Sequence, residues 1–203
     1  ADWIRSVHER TIEVIEEQHR PVPLHLRFQC HNQLCDTTQD LQRIGYGSRP
    51  EPSVSRRRFG GRDRAPGPSN RLQPLVRHLH DANHLPCIFF TFGRRRAEEL
   101  AWEASATSLL RPEERGPLRA MYDELCVRFQ LTQDRTAEAL ARLIDRGVAY
   151  HHAGMLPTMK EVIERCFTSR LLPLIFTTET FALGINMPAR SVVLDTLKKR
   201  ADH

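Results

Sequence analysis

The densest group of chemically capable side chains is a polar segment that follows a short apolar run. Residues 173–177 read PLIFT, and residues 177–190 continue as TTETFALGINMPAR. An apolar run of this length is typical of a strand buried on both faces of a parallel sheet. Ligands of such sheets bind beyond the carboxyl ends of the strands. Hydroxyl and backbone N–H groups at this turn could hold a phosphate, and Gly184 would permit close backbone approach.

The same segment has a plainer interpretation. Thr177 or Thr178 could cap a short helix, and the remaining residues could form an ordinary loop. Glu179 would then be a negative charge at a helix start, where the helix dipole favours it. The residues of this segment alone leave both interpretations open.

Strand and helix patterns alternate through the second part of the chain. Helices are predicted over 72–79, 94–106, parts of 113–129 and 132–146, and 157–167. Strands are predicted over 86–92, 148–152, 173–177 and 191–194. Alternation of apolar strands with helices predicts an α/β fold whose sheet is mainly parallel and flanked by helices. Residues 107–146 exceed a minimal connection, so we expect a helical elaboration with amphipathic faces that pack on the sheet.

The first part of the chain has a different composition. Residues 11–16 (TIEVIE) and 24–28 (LHLRF) alternate as half-buried strands do. Residues 29–70 are assigned to a basic loop rich in Gly, Pro and Arg. Its section 45–70 is almost devoid of apolar side chains, so we expect part of the loop to be disordered.

Composition narrows the function classes. The 203 residues carry a net charge of +5, which fits a polyanionic partner and fits ordinary solubility as well. Five cysteines without framework spacing favour a reduced, cytoplasmic protein. No apolar run approaches the roughly 20 residues that span a bilayer. His25, Cys30, His31 and Cys35 lack the spacing of paired C-x-x-C zinc knuckles, so no metal site is predicted.

Three segments resemble motifs of the Ski2-like superfamily 2 DExH-box helicases, the group of Ski2 and Mtr4. Residues 177–190 are similar to motif V. Residues 150–157 (YHHAGMLP), with the helix that follows, resemble the family's HHAG block, and 88–95 (IFFTFGRR) resemble motif IV. Residues 1–28, with ADWI and RPVPL, resemble the tail of the first RecA-like domain and the interdomain linker. The resemblance implies that 71–203 is a second RecA-like domain that stops before motif VI. The basic loop at 45–70 is not part of the shared core, and it is either an RNA-gripping insertion or a disordered spacer.

This resemblance implies roles for particular residues. Thr177 and Thr178 would hold a backbone phosphate, and Gly184 and Asn186 would lie towards ATP. The remaining candidates would lie on or near the nucleic acid strand: Arg94, Arg95, His152 and Gly154. Plainer interpretations stay open, because one of the two adjacent histidines could be a packing residue and the arginines could be solvated at a helix start.

The resemblance also implies an activity for the parent protein: ATP-dependent, 3′-to-5′ unwinding of RNA. ATP and Mg²⁺ would bind between this domain and the first RecA-like domain of the same parent. The chain contains no G-x-x-x-x-G-K-[ST] phosphate loop. We therefore expect no catalytic residue and no ATPase activity in the chain alone. Phosphate contacts read the backbone and not the bases, so the choice of RNA over DNA follows from the relatives.

Two functions of another class remain as alternatives. The chain could be a non-catalytic nucleic-acid-binding module. It could also be a protein-interaction module, and an exposed apolar stripe on residues 113–146 would favour that function.

Overall fold

The computed structural model describes residues 23–44, 70–182 and 187–196. Several predictions concern residues outside these ranges: the strand over 11–16, the loop over 45–69, and the nucleotide-facing Gly184 and Asn186. The chain divides into two compact units, residues 1–69 and 70–203, each of which is described by itself. The predicted domain boundaries at 28 and 71 stay predictions.

The described part of the first unit is a small hairpin and a helix. Strands β1 (Phe28–Cys30) and β2 (Gln33–Cys35) pair antiparallel, and helix α1 spans Thr38–Arg43. The helix begins where the Thr37 side chain accepts a hydrogen bond from the Asp40 N–H, which satisfies one of its free donors. The buried side chains of this unit come from all three elements: Cys30, Cys35 and Leu41, with Phe28 and Ile44 against them.

Two sequence predictions fail in this unit. The loop predicted over 29–70 is wrong for residues 29–44, because their few apolar side chains suffice for a local core. The strand predicted over 24–28 starts only at Phe28, and Leu24 and Leu26 are both exposed. Alternation in a short segment therefore did not mark a half-buried strand here.

The second unit is built on a four-stranded parallel sheet. Its strands are β3 (Cys87–Phe90), β4 (Val148–His151), β5 (Leu174–Thr177) and β6 (Ser191–Leu194), in the order β4-β5-β3-β6. Every neighbouring pair is parallel, with Phe90 opposite both Thr177 and Leu194. β4 and β5 are buried along their whole length, as their apolar sequences predict.

Helices cover this sheet and connect its strands. They are α2 (Leu72–Asp81), α3 (Arg94–Ala104), α4 (Pro112–Arg128), α5 (Arg135–Ile144) and α6 (Pro157–Thr168), with a 3₁₀ turn at Glu179–Ala182. α3 packs on β4 and β5, α2 packs on α3, and α6 packs on β4. Asp134 caps α5 by accepting the Thr136 and Ala137 N–H groups.

The second unit confirms the predicted α/β class with helices beside a parallel sheet. The helical elaboration forms α4 and α5. α5 packs against β4, and α4 packs on α5 and α6. Within residues 113–146 the one exposed large hydrophobic side chain is Val127, so the stripe expected of a protein-interaction module is not present there. Among the described residues, no helix has the length and apolar character needed to cross a membrane.

Candidate nucleic-acid interface

The carboxyl ends of three parallel strands bring most of the predicted site residues to one edge of the sheet. Thr91 to Arg94 follow β3, His152 to Gly154 follow β4, and Thr178 follows β5. The Thr91 N–H donates to the Thr177 carbonyl (2.8 Å), which continues the pairing of β3 and β5 beyond the strands. Arg94, His152, Gly154, Thr177 and Thr178 are thus all at this edge. Their binding roles stay predictions.

His152 is held rigidly at the end of β4. It is 6% exposed, and its Nε2 lies 2.8 Å from Glu98 Oε1 on α3. The Gly154 N–H donates to its Nδ1 (3.1 Å), so the ring carries its hydrogen on Nε2 and donates it to Glu98. The ring also stacks on Tyr150, with 5.6 Å between centroids and planes 7° apart. These contacts fix the turn that follows β4.

Gly154 lies directly beside Arg94. A Cβ atom on Gly154 would be 3.3 Å from Arg94 Nη1 and 3.2 Å from His152 Nδ1. Both distances are tighter than ordinary van der Waals contact. The bare Cα of Gly154 therefore leaves the Arg94 guanidinium lying close over the turn.

The three arginines at the start of α3 differ in their partners. Arg95 donates to Glu99 one turn along the helix (2.9 Å), and Arg96 donates to Asp195 after β6 (3.2 Å). Arg94 is exposed and forms no such ion pair with another described residue. Its charge is therefore the least neutralised of the three and the most available to a phosphate.

The two threonines after β5 also differ. Thr177 is completely buried, and its hydroxyl donates to the Thr178 carbonyl (3.2 Å). Thr178 is half-buried and lies at the start of the 3₁₀ turn, where the Phe181 N–H donates to its carbonyl (3.2 Å). The first hydroxyl thus orders the turn, and the second residue lies nearer the surface of the edge.

His151 lies on the other face of the sheet from His152. It is 3% exposed, its Nε2 is 2.8 Å from Glu164 on α6, and its ring contacts Phe181 edge-on (4.6 Å between centroids). Its Nδ1 is buried without a hydrogen-bond partner in the described part of the chain. Burial lowers the pKa of His151 more than the neighbouring Glu164 raises it. This histidine joins β4, α6 and the turn after β5.

A polar cavity opens next to His152. Its volume is about 260 Å³, and its lining combines polar groups with apolar side chains: Glu98, Asp134, Tyr150, His152, Gly154 and Leu156 among others. Sequence reasoning missed Glu98, Asp134 and Tyr150. The spacing of Glu98, four residues after Arg94, places it on the same helix face and could have indicated it.

The cysteines do not form a metal site in the described structure. All five are buried free thiols, and the Cys35 thiol donates to the Phe28 carbonyl at 3.5 Å. Within residues 23–44, 70–182 and 187–196, no group of three or more His, Cys, Asp or Glu residues is arranged to hold a metal ion.

Fold and edge together define the class of protein. A parallel sheet flanked by helices, with basic and polar residues gathered at the carboxyl ends of its strands, is consistent with a RecA-like domain.

Comparison with known proteins gives the family. The chain is 31% identical over 98% of its length to human "Superkiller complex protein 2" and 29% identical over 98% to human "Exosome RNA helicase MTR4". It is also 29% identical over 98% to "ATP-dependent RNA helicase mtr4" of Schizosaccharomyces pombe. No protein-family model matches. The chain belongs to the Ski2-like DExH-box helicases. It spans 18% of the first of these relatives and 20% of the other two.

Proposed function

We propose that this chain is the second RecA-like motor domain of an ATP-dependent, 3′-to-5′ RNA helicase. In this role it grips one nucleic acid strand along the carboxyl edge of its sheet. The observation that carries the proposal is the convergence of Arg94, His152 and Gly154 at that edge. Two of the relatives are named as RNA helicases, which supports RNA as the nucleic acid that is bound.

The grip is electrostatic and acts on the strand's backbone. The Arg94 guanidinium donates to a phosphate that passes over Gly154, where the absence of a Cβ lets the backbone come close. His152 does not contact the phosphate with its Nε2, because Glu98 accepts that hydrogen. It holds Gly154 in position instead. Arg95, which can exchange Glu99 for a phosphate, makes a weaker contribution.

The turn after β5 provides a second phosphate contact. Thr178 and the backbone N–H groups that follow it are the contacting groups. Thr177 contributes by fixing the turn with its buried hydroxyl. β5 lies between β4 and β3 in the sheet. A nucleic acid strand that contacts both the turn after β4 and the turn after β5 therefore runs over the end of β5 towards β3.

ATP binding belongs to the interface with the first RecA-like domain. Gly184 and Asn186 lie outside the described residues, so their role towards ATP rests on the resemblance to motif V. Mg²⁺ would accompany the nucleotide at that interface. Closure of the two domains around ATP and reopening after hydrolysis would shift the grip on the strand.

The chain alone would show no ATP hydrolysis, since it lacks the phosphate loop and its lysine. A phosphate-release assay on the purified chain, with and without RNA, checks this point.

The affinity of the chain for a labelled oligouridine of 12 nucleotides (U12), measured at several salt concentrations, tests the proposed phosphate contacts. We expect Arg94→Ala to weaken binding about 10-fold, the loss of one charge-assisted hydrogen bond. It should also reduce the slope of log affinity against log salt by about 0.7, as expected for one phosphate contact on a single strand.

Arg142→Ala is the matched control. Arg142 is exposed on α5 and pairs with Glu138 (2.8 Å), so the variant loses the same charge away from the edge. Its affinity should stay within about 2-fold of the wild type. Equal losses in both variants would show general attraction by net charge and would contradict the proposed grip.

A further inference from the structure

The cavity beside His152 has properties that a phosphate-binding edge does not need. Two carboxylates line it, Glu98 and Asp134, and neither attracts a phosphate. The apolar wall includes Leu156, whose side chain is 52% exposed at the rim. Its volume of about 260 Å³ lies just below the range of roughly 300–1,000 Å³ that is typical of pockets for drug-sized ligands. The cavity therefore suits a single flat group.

Tyr150 places a polar group in this cavity without a partner. The residue is 6% exposed and lines the cavity, yet within the described residues its hydroxyl forms no hydrogen bond. The hydroxyl is not among the buried polar atoms that lack a partner, so it is accessible from the cavity. Glu98 and Asp134 line the same cavity as Tyr150. Burial, followed by the charges of these two carboxylates, raises the pKa of Tyr150 to about 12. The hydroxyl is therefore protonated at neutral pH and ready to donate or accept.

We propose that this cavity receives one nucleobase of the bound strand, and that it favours guanine. The lining of carboxylates and a hydroxyl offers acceptors for a base edge rich in donors. Guanine carries adjacent donors at N1 and N2, which can share one carboxylate, and an O6 acceptor for the Tyr150 hydroxyl. Uracil has one such N–H and no amino group.

The location of the cavity connects the base to the strand. Gly154 and His152 belong both to the cavity wall and to the turn beneath Arg94. A nucleotide whose phosphate lies at Arg94 can therefore turn its base past Gly154 into the cavity. This inference rests on the proposed function, because it requires a strand at this edge.

The experiment compares the binding of three RNAs by the full chain: U12, U12 with one central guanosine, and U12 with one central inosine. We expect guanosine to bind about 10-fold more tightly than U12, with inosine between them because it lacks the N2 amino group. Glu98→Gln and Tyr150→Phe should each remove most of the guanosine advantage, measured in each variant as the ratio of the affinities for the guanosine RNA and for U12. Tyr150→Phe should leave U12 binding within about 2-fold.

Glu103→Gln is the matched control for charge. It lies exposed on the same helix, α3, away from the cavity, and it should keep the full preference. Tyr150→Phe removes only the hydroxyl, so a result for it stands even if Glu98→Gln disturbs His152. Thermal unfolding of each variant confirms that it is folded.

The possible failures are distinguishable. If no RNA binds even at low salt, the proposed function fails, and this inference fails with it. If U12 binds with the expected salt dependence but guanosine has no advantage, the grip stands and the base site is overturned. If an arginine-rich peptide binds and Glu98→Gln abolishes that binding while the RNAs stay equal, the cavity receives a cationic protein side chain and the inference is wrong.

Discussion

Two adjacent histidines at the end of β4 have nearly the same burial and the same kind of partner, yet they belong to different parts of the molecule. His151 is 3% exposed and His152 is 6% exposed, and each has its Nε2 2.8 Å from a glutamate oxygen. Their Nδ1 atoms differ. That of His151 is buried without a partner in the described residues, whereas that of His152 accepts the Gly154 N–H.

The difference arises because successive side chains of a strand point to opposite faces. His151 faces α6 and packs on Phe181, so it belongs to the core that joins three elements. His152 faces α3 and the cavity, so it belongs to the carboxyl edge. Burial and a carboxylate partner therefore do not by themselves indicate a binding residue. The partner of the Nδ1 atom distinguishes the two histidines: His152 accepts a hydrogen bond from the turn at Gly154, and His151 does not.

The largest expected effect comes from His151→Ala. The variant loses the contact with Phe181 and leaves the Glu164 carboxylate without its donor. We expect the free energy of unfolding to fall by about 2–4 kcal/mol. Urea denaturation measures this change. RNA affinity under conditions where the variant is folded should stay within about 2-fold of the wild type.

His80→Ala provides the control for this variant. His80 lies at the exposed end of α2, and its loss should change stability by less than about 0.5 kcal/mol. A large loss of RNA affinity in folded His151→Ala would place His151 in the interface and contradict its assignment to the core.

A smaller effect is expected from pH. Because burial lowers the folded-state pKa of His151 below its ordinary value of 6.5, the unfolded chain binds a proton more readily than the folded one. The stability from this group is present above pH 6.5 and is lost as pH falls below it. Lys160 and His152 also oppose the charged ring, while Glu164 favours it.

The pH effect is measured as the difference between wild type and His151→Gln. Wild type should lose more stability than this variant between pH 7 and pH 5. Gln keeps a donor for Glu164 but does not titrate. Parallel curves for the two proteins would mean that His151 is not the group responsible.

The next effect concerns the other histidine. In His152→Ala the Gly154 N–H loses its acceptor, so the turn beneath Arg94 is no longer fixed. We expect RNA affinity to fall about 5-fold to 10-fold and the free energy of unfolding to fall by about 1 kcal/mol. Fluorescence anisotropy and urea denaturation measure the two changes. If His152→Ala instead lost much stability and kept its RNA affinity, His152 would be a packing residue like His151.

The smallest effect is expected from Gly154→Ala. The new Cβ would approach His152 Nδ1 to 3.2 Å and Arg94 Nη1 to 3.3 Å, and the mobile guanidinium would give way first. RNA affinity should fall about 3-fold, which titration with labelled U12 measures. Gly116→Ala in α4 is the control, because its Cβ meets nothing within 4 Å. That variant should gain up to about 1 kcal/mol of stability with unchanged binding. Equal affinities of the two variants would remove Gly154 from the strand path.

The sequence predicted the second unit well and the site in part. Strands such as β4 and β5 are buried throughout and apolar except at their last residue, so the pattern in 148–152 and 173–177 was sufficient. The location of Arg94 and His152 at the carboxyl edge of the sheet was predictable, because both residues follow the predicted ends of parallel strands. The cavity was not, because Glu98, Asp134 and Tyr150 come from three elements whose approach depends on tertiary packing. Residues 29–44 were misjudged because their core is made by few apolar side chains at irregular spacing.

Photo-crosslinking locates the bound RNA strand on the sheet. The full chain is irradiated with RNA that carries 4-thiouridine, and mass spectrometry identifies the linked peptides. The carboxyl-edge account predicts crosslinks within residues 92–94 and 152–156, reduced in Arg94→Ala and unchanged in Arg142→Ala. Crosslinks at the opposite edge of the sheet, around Pro86, Gly147 and Pro173, would contradict it.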